Sequence, residues 1–466
     1  MYRPYKKPIV TASPNLKLPE PKISKKAVLL CKLLARLYLF LFYGVAGIIL
    51  RNDKNLFEAF KRALAGKSRC IIAFRHPNGG EPQLLGWFFL FKLRFMAARK
   101  GIKFARWPHA IFVYSYEVVR WGGWAARFVM PNLGALPIHH AKMDSKGMNR
   151  INKAIAEGPY PVALAPEGQV SYTTDSVPRL EPGVIRIGFS QAERLAEKSP
   201  GVPVEILPVS IYFRFGVWGK ATMEILLKKV EKCAGFSKAG RKKLPFVERV
   251  RQVRERILVL NEARYKIKSD EALSFEERLD KVIMAALETA ERMMGVKSEG
   301  EFFPRMYRVR QFCWDRIILP NFEDFDGVSQ VERSIMDLKA GEAWYIGRHQ
   351  ELIDFCWYFR VPLPTEDTAF HNKIEYVQNL WDFANRTMGG AYPDRVSIFP
   401  RKVIIQSAPV INLSERLPAY KADKKAAIAT AMSDLEKAYL DCIAEANEPD
   451  LQEKRNASIK QNDTTI

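Results

Sequence analysis

IIAFRHPNGGEPQLL, residues Ile71 to Leu85, is the stretch from which the fold is read. A short apolar run closes at Phe74, Arg75 and His76 follow, Pro77-Asn-Gly-Gly80 makes a turn, and Glu81 opens an apolar helix. An apolar run, a Gly/Pro turn and a helix in succession are what a buried strand with a loop at its end produces. Ala163 to Ser171 (ALAPEGQVS) repeats the layout, with Pro161–Ala165 as a strand opening onto Pro166-Glu-Gly168.

Working outward, strand-like and helix-like segments alternate. Helical patterns cover 55–65, 84–101, 121–130, 149–157 and 184–197; strand patterns cover 109–120, 134–138 and 204–213. That alternation predicts an α/β layered fold from Ile71 to Phe213. The 84–101 helix is too short in its apolar part to span a bilayer and suits a membrane surface, an acyl-chain groove or an ordinary core. Beyond residue 240 the pattern turns helical. Phe246–Lys268 is a basic helix whose arginines suit a solvated face better than a binding site, Ser274-Phe-Glu-Glu277 is a capping box, and 302–400 is rich in aromatics. Lys402–Leu413 reads as a late strand and Lys424–Glu445 as a final helix.

Toward the amino terminus, 1–26 is a basic arm, with Arg3, Lys6, Lys7, Lys17, Lys22, Lys25 and Lys26 against Glu20 alone. Ala27–Leu50 is apolar and predicts one helix about 36 Å long. Lys32 and Arg36 interrupt it, which favours an interfacial or re-entrant helix with snorkelling cations over a clean span. A buried soluble helix is the other reading.

The chain has 466 residues, 48% hydrophobic, with a net charge of +22 and a pI near 9.6. It can build a packed core and prefers anionic surfaces, whether lipid headgroups or nucleic acid. No groove-reading module for nucleic acid is present. The cysteines 31, 70, 233, 313, 356 and 442 form no CxxC pair, so neither a disulfide framework nor a zinc site is expected.

His76 and Glu81 can act as a general base and the acid that holds its tautomer. Gly79-Gly80 permits positive φ and can present amides to an oxyanion. No GxSxG marks a serine nucleophile and no HExxH marks a metal pair, so such a histidine would deprotonate a substrate hydroxyl that attacks a thioester. On its own, a histidine in a turn is more often structural.

The company of the other motifs changes that weighting. His76-Pro-Asn-Gly-Gly-Glu81 resembles the first motif of the phospholipid/glycerol acyltransferase family, histidine, four residues, aspartate, with glutamate in the last place. Gly134-Ala-Leu-Pro-Ile-His-His140 aligns with the second, His140 standing where arginine is usual. Pro166-Glu167-Gly168-Gln169-Val170-Ser171 aligns with the third, Val170 replacing arginine. Ile206-Leu207-Pro208-Val209 aligns with the fourth, without its second proline. The likeness covers residues 30–230 and extends to 402–440.

The resemblance implies a layered acyltransferase fold: a central, mostly parallel sheet flanked by helices, an amino-terminal membrane helix and a mainly helical carboxy-terminal region. It implies His76 as base, Glu81 as its orienting acid, and Gly134, His140, Glu167, Gly168 and Ser171 on the acceptor. Arg75 and Arg179 stand as cations that could replace the missing arginines. His140 either meets the headgroup or caps a strand. The expected segments are 1–26, a membrane-associated region 27–65, a catalytic domain 66–235, a helical insertion or appended domain 236–400, a closing strand and helix 401–445, and a polar tail 446–466. Lys220–Lys229 is the alternative closing strand. The implied activity is O-acyl transfer to a lysoglycerolipid, 1-acylglycerol-3-phosphate foremost, at the cytoplasmic face of a bacterial membrane. Membrane lipids and the donor, acyl-CoA or acyl-carrier protein, are the partners; no metal or cofactor is implied. A catalytically reduced, lipid-binding or tethering relative is the alternative.

Overall fold

The structure is a computed structural model that describes residues 10–15, 18–139, 144–216, 218–237, 243–390, 395–396, 398 and 400–463. The chain divides into two compact units. One comprises Pro19–His140, Asp144–Trp218 and Ser397–Ile466, and the other Met1–Leu18, Ala141–Met143 and Gly219–Val396.

The first unit is α/β. Its strands are β1 (Val45–Arg51), β2 (Arg69–Phe74), β3 (Ile111–Ser115), β4 (Leu136–Ile138), β5 (Val162–Leu164), β6 (Val204–Phe215), β7 (Arg401–Ser407) and β8 (Ile411–Asn412). They lie in the order β1-β7-β6-β2-β5-β3-β4. All these neighbours are parallel except β7, which runs antiparallel to β6; β8 continues that antiparallel pairing. Val204 to Phe213 is buried at every position, as a strand covered on both faces requires. Pro208 lies inside β6 without an N–H to donate. Its place is opposite the break between β7 and β8, where Ala408 N–H donates to Pro208 O at 3.1 Å.

Helices flank both faces. They include α1 (Lys25–Tyr43), α2 (Asp53–Leu64), α3 (Glu81–Phe88, extended by a π turn at Phe89–Leu93), α4 (Ser145–Glu157), α5 (Gly183–Lys198) and α6 (Lys424–Asp463). Along β2, Cys70, Ile72 and Phe74 pack with α2 and α3, while Ile71 and Ala73 pack with α4, α5 and α6. The period-two alternation of one strand thus feeds two cores. Asp144 starts α4 by accepting from Gly147 N–H at 2.9 Å.

The second unit is helical: Gly219–Cys233, Phe246–Arg264, Phe275–Met294, Phe302–Ile317, Gln330–Tyr358 and Phe370–Thr387. Capping boxes at Ser274 and Ser329 start two of these helices. Its arginines are not a solvated face throughout. Arg249 is buried on Glu231 and Glu224, Arg278 on Glu262, and Arg305 on the fully buried Glu291. Buried charge is tolerated because Glu231, Glu262 and Glu291 each accept from two nitrogens of their guanidinium.

Four expectations are corrected. Ala27–Leu50 is not one helix. Gly44, at φ 64, caps α1 with its N–H on Leu39 O and Phe40 O, and the β-branched residues that follow enter the sheet as β1. Among the described residues no helix is long and apolar enough to cross a membrane. Lys220–Lys229 is helical, and the strand that completes the sheet is Arg401–Ser407. Residues expected as a polar tail continue α6 to Asp463. Within 1–26, Ser13–Pro14 pairs in parallel with Ile318–Leu319.

Gly188 of α5 lies so close to the sheet that a β-carbon there would stand 2.4 Å from Leu413 Cδ1 and 3.3 Å from Ile206 Cδ1. Gly188→Leu is expected to lower stability in urea unfolding by about 1–3 kcal/mol through overpacking. An unchanged midpoint would show that α5 does not sit on β6 and the 411–413 segment as described.

Candidate active site

β2 ends at Phe74, β5 at Leu164, and the loops after these adjacent parallel strands face each other. Ligand sites in open α/β sheets form at this carboxyl edge. Arg75 ties the loops together. Its Nε donates to Glu167 Oε1 at 2.7 Å, Nη1 to Thr174 O at 2.9 Å, and Nη2 to Thr173 O at 3.0 Å and Ser176 O at 2.7 Å. Both side chains of the pair are essentially water-free, at 1% and 0% exposure. Burial alone would lower the Arg75 pKa; the Glu167 charge and its hydrogen bond outweigh that and hold it above the ordinary arginine value.

The second Glu167 oxygen accepts from His76 N–H at 3.0 Å, and Ser171 N–H donates to His76 O at 2.9 Å. The backbone of His76 is therefore held on both sides by the Pro-Glu-Gly loop. Its imidazole Nδ1 lies 2.6 Å from Glu81 Oε2, which also accepts Gly79 N–H at 2.8 Å. Glu81 opens α3, where the helix amino terminus favours a carboxylate. With the carboxylate accepting, Nδ1 carries the proton and Nε2 is the basic nitrogen. Nε2 has no partner among the described residues, and the side chain keeps 17% exposure. The longer glutamate reaches the imidazole because the turn folds back, with Gly79 at φ 94.

The expected residues fall into distinct positions. His76, Glu81, Arg75, Glu167 and Ser171 form one bonded group. Arg75, expected as a substrate cation, is instead turned inward: its guanidinium is buried and bonds Glu167 and the carbonyls of Thr173, Thr174 and Ser176. Glu167 and Ser171 likewise hold the loop. Gly168, at φ 71, makes the turn, and a β-carbon there would meet Glu181 Cγ at 3.3 Å. Arg179 is half-exposed and pairs with Glu181 at 3.2 Å. Gly134, at φ 75, packs its backbone against Ile111 and Ile23 before β4. His140 lies outside the described residues; its neighbour His139 stacks on Tyr116 at 4.1 Å. The Gly79 amide, bonded to Glu81, is not available to an oxyanion. Val170, where the resembled motif has arginine, sits against the loop, its Cγ2 3.7 Å from the place of a Gly79 β-carbon.

Three supports carried no sequence signal. Tyr439 of α6 donates its hydroxyl to Ala73 O at 2.9 Å and lies under the Arg75 guanidinium at 5.9 Å. Burial, then the Glu167 charge, push its phenol pKa well up. Tyr43, the last residue of α1, places its ring against Gly80, and Arg401 reaches Asn78.

Removing Arg75 leaves Glu167 buried and unpaired. Arg75→Met is expected to lower stability by about 3–5 kcal/mol in chemical unfolding, whereas Arg179→Ala changes it by no more than about 0.5 kcal/mol. Equal, small effects of both would return Arg75 to the role of a substrate cation. Comparison of the chain with protein-family models, curated proteins and solved structures finds no match.

Proposed function

We propose that the protein is an acyltransferase that moves a fatty acyl group from a thioester to a hydroxyl of a lysoglycerolipid, with no covalent acyl-enzyme. The observation that carries this reading is the 2.6 Å bond from His76 Nδ1 to the buried Glu81, which leaves Nε2 as the outward base. No protein hydroxyl or thiol bonds Nε2 among the described residues, so the proton it takes comes from the substrate. The steps balance simply. Nε2 accepts the hydroxyl proton as the oxygen attacks the thioester carbonyl. The tetrahedral adduct collapses, the C–S bond breaks, and the imidazolium returns the proton to the thiolate. Glu81 stabilises the imidazolium in between.

A lipid substrate is supported by α1. Leu29, Leu33, Leu34, Leu37, Leu41 and Phe42 are each more than half exposed, Leu33 at 68%. An apolar helix face in water is costly, about 1.5–3 kcal/mol for each large side chain that a bilayer would cover. Arg36 lies 5.9 Å from the Trp87 ring, the mixture of cation and indole found at membrane interfaces. Membrane seating at the cytoplasmic face, along α1 and without a span, is the localisation we propose. Acyl-CoA or acyl-carrier protein supplies the acyl group. 1-Acylglycerol-3-phosphate is the first acceptor to assay, and the apolar Val170 beside the loop argues for lysolipids with uncharged headgroups in the same panel. A lipid-binding relative without turnover is the competing reading.

With vesicle-borne lysolipids and a labelled thioester, wild type is expected to form the acylated lipid. His76→Ala and Glu81→Gln are expected to lower kcat by about 10²–10⁴-fold. Vesicle binding without turnover in wild type, over the whole panel, would favour the competing reading. In sedimentation with anionic vesicles, Leu33→Glu/Leu37→Glu should release the protein without changing its melting temperature; unchanged binding would remove α1 from the membrane face.

A further inference from the structure

We infer that Arg401 is a positioning residue for the His76–Glu81 pair, brought to the site from the far side of the helical unit in sequence. Only the kinetic part of its test rests on the acyl-transfer reading. Arg401 is the first residue of β7 and is 2% exposed. Its backbone N–H donates to Gly44 O at 2.8 Å. Its Nε donates to Tyr43 O at 2.5 Å, and its Nη2 to Asn78 Oδ1 at 2.9 Å. The guanidinium lies 4.0 Å from the Phe213 ring centroid on β6.

Asn78 is the apex of the turn between His76 and Glu81. Arg401 therefore grips the loop directly at its apex. It grips it a second time through Tyr43, because a β-carbon at Gly80 would stand 2.5 Å from Tyr43 Cδ1. The inner side of the loop is already fixed at His76 by Glu167 and Ser171. On that side residues 78 to 80 are met by the Val170 side chain at Gly79, an apolar contact that fixes no direction. The Arg401 clamp supplies the missing restraint, and it acts where the loop must bend back to bring Gly79 N–H and the imidazole onto the same Glu81 oxygen. Lysine cannot substitute. Two acceptors in different directions and an aromatic face beneath call for a planar, forked donor, whereas an ammonium offers a point charge. The clamp also joins the loop to the end of α1, the helix with the exposed apolar face.

The test uses the full chain with Arg401→Lys, Asn78→Ala and the double variant. Each single change is expected to lower kcat by about 10–100-fold with KM for donor and acceptor within about twofold, as a slight misplacement of the base would. The double variant should be no slower than the slower single one, because Asn78→Ala removes a contact that Arg401→Lys already loses. A second readout needs no turnover. In histidine-labelled protein, the Nδ1 proton of His76 should give a downfield resonance, assigned among the six histidines by its loss in His76→Ala. It should shift upfield or vanish in both single variants. Wild-type kcat and an unmoved resonance in both, or losses that multiply in the double variant, would overturn the inference. If wild type turns over no member of the panel, the acyl-transfer reading fails and the resonance alone decides the role of Arg401. If Arg401→Lys does not fold, Asn78→Ala decides it.

Discussion

The buried ion pair between Arg75 and Glu167 sets the geometry on which the site depends. Two charges this deep are costly unless every donor and acceptor is met. Here the guanidinium holds one carboxylate oxygen and three carbonyls, and the other oxygen takes His76 N–H. The pair joins the loops at the ends of neighbouring parallel strands and fixes where the imidazole begins. Glu81 then decides which way it points. The direction of one nitrogen follows from an ion pair buried away from solvent.

Around this centre the supports come from distant parts of the chain. Tyr439 braces Ala73 and Arg75 from α6, and Arg401 clamps the turn from β7. Both follow the helical unit in sequence, so the α/β unit completes its site only after the chain has passed through that unit and returned. The same return explains the sheet. β7 enters between β1 and β6, parallel to the first and antiparallel to the second, and its pairing with β6 ends next to Pro208, which has no N–H.

Much of the α/β pattern was legible because its punctuation is local. Pro-Asn-Gly-Gly before Glu81, Pro-Glu-Gly after Ala165 and Gly158 after α4 end elements by backbone chemistry that any context preserves. The dyad was legible for the same reason, since five residues across a glycine turn bring His76 to Glu81. What failed depended on burial. Arg75 looked like a substrate cation because a motif neighbour is visible in sequence and its partners are not. The arginines at 249 and 254 read as a solvated basic helix, yet they face glutamates on other helices. Ala27–Leu50 read as one helix because hydropathy outvoted a single glycine, whose left-handed conformation ends α1 seven residues early. Arg401 and Tyr439 had no signal, because nothing within a few residues of either announces a contact more than three hundred positions away.

The most direct test of acyl transfer without a protein intermediate is mass spectrometry on one reaction. An isotopically labelled acyl thioester is mixed with the protein on lysolipid-bearing vesicles, and the lipid and the intact protein are weighed together. Direct attack by a hydroxyl that His76 deprotonates predicts labelled, acylated lipid and a protein of unchanged mass, with neither product nor adduct when the lysolipid is left out. A labelled acyl group on the protein, or unlabelled lipid throughout, would contradict it.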